Sequence, residues 1–410
     1  MLALAESVSD LAAAPRVRAC LEWLRKERAW INDQHLKLCR VAAPTFFEQK
    51  RAEWIAERFR ASGWEAKLDR AGNVIASLPG RANQSAIAVT AHLDTVLAPR
   101  SPDDVRVAGD GRLMGPGVSD NGAGLTALLA LAAAWNAAPP LEDLPLAPVL
   151  IANVGEEGEG NLCGMRYLCR PPATSRFKAF LILDGPDPNH ITCQALASRR
   201  FEVTFTGPGG HSWSDYGAGN PVHALSRAIA HFVDHAPAGE PRGSFNFGVI
   251  QGGASINAIP SEAWTKVDLR SESAERMDQL AALLAASVEL ALAEENARAD
   301  MTGRGPAVRI AARSKEIGSR PGGSLPTGSP ILGCLLAVDA YLGIRSSLDC
   351  SSTDANLPLS LGLPAVAIGA GGQGGGAHTV SEWYQPEGRE LGLRRILLAL
   401  CLLCGDTLWA

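Results

Sequence analysis

Residues 86–96 read AIAVTAHLDTV, a near-continuous apolar run, broken only by Thr90, that ends in the polar His92, Asp94 and Thr95. The run is short and β-rich, so it is a strand, and its period of two puts His92 and Asp94 on one face. In open α/β sheets ligands collect at the carboxyl ends of strands, which is where this pair falls. A carboxylate two residues from a histidine orients the ring or fixes its tautomer beside a metal. A polar strand end accounts equally well for one isolated His-x-Asp.

Working outward, further β-rich runs at 73–78, 148–154 and 179–183 alternate with helix-like segments such as 125–135, which predicts an α/β sheet. The first 70 residues carry helical spacing, as in Trp54, Ile55 and Phe59. From residue 199 the rhythm changes. Strand 200–206, helix 221–234, strands 244–251 and 262–271, helix 274–295 and strand 307–312 give the order βαββαβ, the ferredoxin-like pattern. After the Gly/Pro-rich residues 318–330 the α/β rhythm resumes, with a helix near 331–342, a strand at 365–368 and a last helix near 391–404. The expected architecture is a discontinuous catalytic domain, 1–197 and 315–410, interrupted by a lid at 198–314.

Other acids and a histidine stand where His92 stands, at strand ends and glycine turns. Residues 115–124, GPGVSDNGAG, carry Asp120 as their one carboxylate ahead of an Ala/Leu helix; a helix N-cap is the other reading of Asp120. The apolar run VLIANV delivers GEEGEG, residues 155–160, whose three acids repel one another unless a cation neutralises them. LILDG ends in Asp184, and AVAI leads through the glycine-rich residues 369–376 to His378. Four of the five stations are strands or strand-loop junctions; coincidence explains any one of them but not all five. Mixed histidine and carboxylate sets suit zinc, with manganese or cobalt as substitutes. Five ligands with one shared carboxylate suffice for two metals roughly 3.5–4 Å apart.

Composition excludes other classes. The 410 residues carry a formal charge of −5 and a pI near 6.0, without the basic field that nucleic-acid binding needs. The longest apolar stretches, 127–135 and 396–404, are well below the roughly 20 residues that span a bilayer. The N-terminal residues have no basic segment and are interrupted by Glu6 and Asp10, unlike a signal peptide. Nine cysteines without a disulfide-framework spacing suit a reducing compartment, and the expected location is the cytoplasm. The single CxxC, Cys401 and Cys404, reads as buried core thiols.

In order and spacing, AHLDTV, GPGVSDNGAG, NVGEEGEG, LILDG, GPGGHSW, GGASINAIP, VDLRS and GGGAHT resemble the dinuclear zinc peptidases. That family includes peptidase T, glutamate carboxypeptidase, carnosine dipeptidase, aminoacylase and succinyl-diaminopimelate desuccinylase, and the resemblance covers nearly the whole chain from about residue 85. It implies a mixed-sheet catalytic domain with an inserted lid and dimerisation domain, two zinc ions and a homodimer. One metal would be held by His92 and Asp184, the other by Glu157 and His378, with Asp120 bridging. Asp94 is implied to orient His92. Glu156 would be the general base toward a two-metal-activated water. His211 is implied to reach the partner's active site and stabilise the oxyanion, and Asn257 and Arg270 match positions that contact substrate. Carboxypeptidase-like relatives often carry Glu where this chain has Asp184, and a Met-Lys pair after the bridging Asp, common in the acylase and carboxypeptidase branches, is Asn121 and Gly122 here. Both differences point to an aminopeptidase or dipeptidase acting on short peptides, and the GGGAHT ending resembles the peptidase T-like branch. An N-acyl-amino-acid amidohydrolase or a carboxypeptidase on the same site is the alternative.

Taken alone, His211 reads as a loop histidine satisfied by backbone groups, Asn257 as a turn residue and Arg270 as a surface ion pair. His223, His231 and His235 decorate the first lid helix, and Asp354 is an N-cap or supporting group. Gly369–Gly374 fits GxGxxG, but the run leads to His378 and Pro386 with no room for the helix of a dinucleotide-binding unit. Gly210-His211-Ser212 lacks the glycine that would complete a nucleophile elbow.

Overall fold

The computed structural model describes residues 2–139 and 144–405 and divides the chain into two compact units, 1–195 with 323–410, and 196–322. Among the described residues the larger unit is built on a nine-stranded mixed sheet. At its centre four strands lie side by side and parallel, in the order Ala147–Asn153, Ala86–His92, Phe177–Leu183 and Ala365–Ile368. Every residue of Ala86–His92 and Ala147–Asn153 is buried, as expected of parallel strands covered on both faces. Alternate side chains separate into two cores. Ile87, Val89 and Ala91 pack under the N-terminal helices, Gly122–Ala137 and Arg389–Leu403, while Ala86 and Ala88 join Phe180, Ile182 and Met165 on the opposite face.

The helix Gly122–Ala137 carries no charged residue and is buried nearly all round. Its N-cap is Asn121, whose Oδ1 accepts the Gly124 N–H while its Nδ2 donates to the Leu183 carbonyl. The alternative N-cap role for Asp120 is thereby excluded, and that carboxylate is left for other partners. Gly124 permits the close approach: a Cβ there would lie 2.8 Å from the Leu183 carbonyl.

The smaller unit follows the βαββαβ order, with sheet order Gly243–Gly252, Glu262–Ser271, Ala197–Thr206, Ala311–Arg320, all antiparallel. Helices Pro221–His235 and Ala274–Asp300 pack on it around Phe205, Phe232, Leu269 and Leu284.

Three expectations need correction. The last lid strand is Ala311–Arg320, not 307–312, so the boundary expected at 314 falls inside a strand. Asn296 holds Ile310 by two hydrogen bonds and delays the strand start, and the polar sequence AARSKEIGSR has no alternation of its own; its register comes from the ladder with Ala197–Thr206. The first 70 residues are not all helical, because Glu65–Leu68 pairs with Val74–Ser77. The segment read as linker contains the strand Gly323–Ser324.

Candidate metal centre

The carboxyl ends of the four parallel strands converge. His92 closes the second strand, Glu156 and Glu157 follow the first, Asp184 follows the third, and His378 comes from the loop beyond the fourth. Asp120 enters from the turn before helix Gly122–Ala137. A small sheet brings its loop beside that of His378: Trp383–Gln385 pairs with Leu113–Met114 on one side and with Gln373–Gly375 on the other.

Asp120 is the hub. Its Oδ1 lies 3.0 Å from His92 Nε2 and its Oδ2 lies 3.0 Å from His378 Nε2. His378 Nε2 is also 2.8 Å from Glu157 Oε1, and His92 Nε2 is 3.9 Å from Asp184 Oδ1. Two donor sets therefore share Asp120, one with His92 and Asp184 and one with Glu157 and His378, and within each set the ligand atoms lie within 4.8 Å of one another. A third set joins His92 to Glu156 and Glu157. Imidazole and carboxylate donors without thiolate fit zinc, manganese or cobalt.

Electrostatics agree with a cationic occupant. Burial, followed by the nearby Asp120 charge, pushes the Asp184 carboxyl up to about 7. His378 is pushed up to about 10 by hydrogen bonds to Asp120 and Glu157. Burial works against a charge on His92, but Asp120 and Asp94 outweigh it and hold its pKa well above the usual value. Burial likewise opposes ionisation of Asp120, and the two histidines overcome it and lower its pKa. His92, His378 and Asp184, whose pKa values are raised, hold protons that a divalent cation would displace.

Asp94 does more than the sequence led us to expect. His92 Nδ1 meets its main-chain carbonyl at 3.0 Å and its carboxylate only at 3.5 Å. The carboxylate instead accepts the Glu156 N–H at 3.0 Å, the Glu157 N–H at 2.8 Å and the Thr45 hydroxyl at 3.0 Å, so it shapes the loop bearing both acids. Asp354 is buried and its Oδ2 accepts from Asn153 Nδ2, at the end of the strand that leads to Glu156.

The sequence reading missed Glu382 and Glu48. Buried Glu382 accepts the N–H groups of Gly117, Ser119 and Asp120 at 2.7–2.8 Å, and its carbonyl accepts that of Gly115. Glu48 accepts the Gly155 N–H at 3.1 Å. A glutamate four residues after His378 was the only signal for the first, and nothing local marked the second. Backbone strain gathers here too. The non-glycine residues with positive φ among the described residues are Phe46, Asn161, Leu162 and His378, all in loops that carry or adjoin the convergent side chains.

In the smaller unit, His211 Nδ1 accepts the N–H groups of Trp213 and Ser214, which makes Nε2 the protonated nitrogen of the neutral ring. Asp215 accepts the His211 N–H, and the Asn257 carbonyl accepts that of Ser212, tying Asn257 to the His211 loop. Arg270 donates to Asp268 at 2.6 Å from a central strand. His231 pairs with Glu294, and His235 with a main-chain carbonyl of its own helix. All nine cysteines are free, and burial pushes Cys401 up to about 12.

Residues 197–296 match the family described as peptidase dimerisation domain, and residues 73–206 match peptidase family M28. The chain is 26% identical over 295 residues to the cytosol non-specific dipeptidase of Escherichia coli, covering 64% of this chain and 57% of that protein. It is 29% identical over 306 residues to a protein of Aspergillus clavatus named as a probable carboxypeptidase, covering 67% of this chain and 63% of that one. The match thus spans less than two thirds of either relative. Aminopeptidase PepT of Bacillus cereus has the same fold, with a TM-score of 0.68 at 20% identity over 92% of this chain and 99% of its own.

Proposed function

We propose that this chain, which belongs to the dinuclear zinc peptidase family that its motifs resemble, hydrolyses peptide bonds in short peptides as a metal-dependent aminopeptidase or dipeptidase. The observation that carries the proposal is Asp120 standing between His92 and His378, with Asp184 and Glu157 completing a set on either side. His92 and Asp184 would hold one ion, Glu157 and His378 the other, and Asp120 both. Bound there, zinc, or manganese or cobalt in its place, supplies Lewis-acid polarisation of the peptide carbonyl and a more acidic water.

The side chains supply the rest. Glu156, its N–H fixed on Asp94, takes a proton from the attacking water and passes it to the leaving amine. His211 directs its Nε2–H at the developing oxyanion, acting in the partner subunit of a homodimer. Asn257 and Arg270 contact the substrate. The dimer would form through residues 197–296, whose sheet ends in the exposed edge strand Gly243–Gly252. No helix of the described residues is long and apolar enough to cross a membrane, and nine free thiols fit a cytoplasmic enzyme.

Asp184, where carboxypeptidase-like relatives carry Glu, favours the free amino end of the peptide over an acylated one. The test compares an unblocked tripeptide with its N-acetylated form, before and after chelation. Hydrolysis of the unblocked peptide that chelation abolishes is expected. Faster cleavage of the blocked peptide would move the assignment to an amidohydrolase, and undiminished turnover after chelation would overturn the metal-dependent reading.

A further inference from the structure

Phe46 and Phe47 are large apolar side chains left 60% and 74% exposed, on a segment fastened at both ends to groups beside the loop that bears Glu156 and Glu157. On one side Thr45 donates to the Asp94 carboxylate that shapes the Glu156–Glu157 loop. On the other, Glu48 accepts the Gly155 N–H at the start of that same loop. Thr45 also lies against Gly160, where a Cβ would come within 2.7 Å of its methyl group. A third fastening joins the segment to the strand end of His92: Pro44 bridges Thr95, and Thr95 donates its N–H to Ala43. The residues that continue from Thr95 are Val96 and Leu97, again apolar and exposed at 44% and 36%.

The backbone of this segment is under strain. Phe47 N–H closes a turn on the Pro44 carbonyl, and Phe46, third in that turn, has φ +74°. A turn position with positive φ ordinarily holds glycine or asparagine, and a side chain branching to an aromatic ring is disfavoured there. Strained non-glycine residues that persist mark functional sites, and the other three among the described residues sit in the same group of loops. Four exposed apolar side chains on two neighbouring segments, both fastened to the metal loops, are also what a substrate pocket presents beside a few placed polar groups.

We propose that Phe46 and Phe47, with Val96 and Leu97, form an apolar subsite that receives a bulky aliphatic or aromatic side chain of the substrate. The inference rests on the peptidase reading and narrows it: the substrates are short peptides with a leucine- or phenylalanine-like residue next to the cleaved bond. The occupant follows from continuity with the catalytic loops; a second copy of the chain is the other occupant of such a surface.

The experiment uses the metal-loaded full chain and the variants Phe46→Gly, Phe46→Ala and Phe47→Ala. Turnover of Leu-Gly-Gly, Gly-Leu-Gly and Gly-Gly-Gly is measured, with calorimetric binding of leucine hydroxamate and glycine hydroxamate as a readout independent of turnover. The wild type should favour a leucine peptide and leucine hydroxamate over their glycine counterparts. The variants should lose about tenfold of that preference, the lower end of what a hydrophobic pocket discriminates per methylene. Phe46→Gly should do so while its melting temperature stays level or rises, since glycine relieves the positive φ. An unchanged preference in all three variants overturns the proposal, as does a wild type with no preference or one that binds neither hydroxamate. Variants that dissociate into smaller species in sedimentation while keeping the preference also overturn it, since the patch is then a subunit contact. If the wild type cleaves none of the peptides but the variants lose the hydroxamate preference, the subsite stands and the peptidase reading falls.

Discussion

Glu382 Oε1 lies 2.8 Å from the main-chain nitrogen of Asp120, so the carboxylate that follows His378 in sequence holds the backbone of the residue that His378 meets through its side chain. Two of the convergent loops are thereby locked to each other. Replacing Glu382 by Gln puts an NH2 group against at least one of the three N–H donors and leaves a buried donor unsatisfied. Outer partners of this kind are worth about 10–100-fold in metal affinity. We expect a loss of that order in metal titrations of Glu382→Gln, with turnover falling alongside at subsaturating metal. Affinity and turnover equal to wild type would show that Glu382 serves only the fold.

Glu156 belongs both to the proposed base role and to a convergent set with His92 and Glu157. The variant Glu156→Gln separates these. As a base, its loss should lower kcat by about 10²–10⁴-fold while metal stoichiometry holds. A parallel loss of one metal ion, read by elemental analysis, would make it a ligand instead.

The proton inventory of the centre predicts how metal and acid compete. With Asp184 at about 7 and His378 at about 10, the metal-free folded chain holds protons at neutral pH that a cation must displace. Metal binding should release protons, visible as a buffer-dependent calorimetric heat, and affinity should rise with pH. Stability of the metal-free chain should run the other way. The raised His378 pKa contributes stability that is complete below about 6.5 and lost as pH climbs toward 10. The raised Asp184 pKa means that ionisation above its unfolded value, through about 7, also costs stability. The metal-free melting temperature should therefore fall from pH 6 to pH 9, and saturating zinc should reverse the fall. A flat profile would remove these two groups from the account.

For His211, the ring tautomer set by Trp213 and Ser214 leaves Nε2 as the donor. His211→Ala should lower kcat with little change in metal content. Mixed with the inactive Glu156→Gln chain, it should regain part of the activity through hybrid dimers if the histidine acts across subunits. No recovery on mixing would confine it to its own subunit.

How much of this was legible beforehand differs from residue to residue. His92, Glu157, Asp184 and the strands that carry them were readable because a buried strand is an unbroken apolar run, and a polar residue at its end stands out. The lid was readable from its order of elements, but its last strand was not, because AARSKEIGSR is held by the ladder with Ala197–Thr206 and has no alternation of its own. Glu48 and Thr45 left no trace in periodicity or motif, and Glu382 only its nearness to His378, since each acts on groups far away in the chain. The strain at Phe46 was equally hidden, because a φ value belongs to the folded chain.

The sequence by itself determined which polar residues stand at strand ends and glycine turns, through patterns that local physics imposes: apolar runs that form strands, glycines where chains turn, acids that repel one another when crowded. Only the tertiary structure decided what those residues do to one another. It placed Asp120 between two histidines, made Asp94 the organiser of the Glu156–Glu157 loop as well as a partner of His92, and made Asn121 rather than Asp120 the helix cap. What decides these roles is hydrogen bonds between segments dozens to hundreds of residues apart, Asn121 to Leu183, Asp94 to Glu156 and Asp120 to His378, which exist only once the sheet has brought its strand ends together.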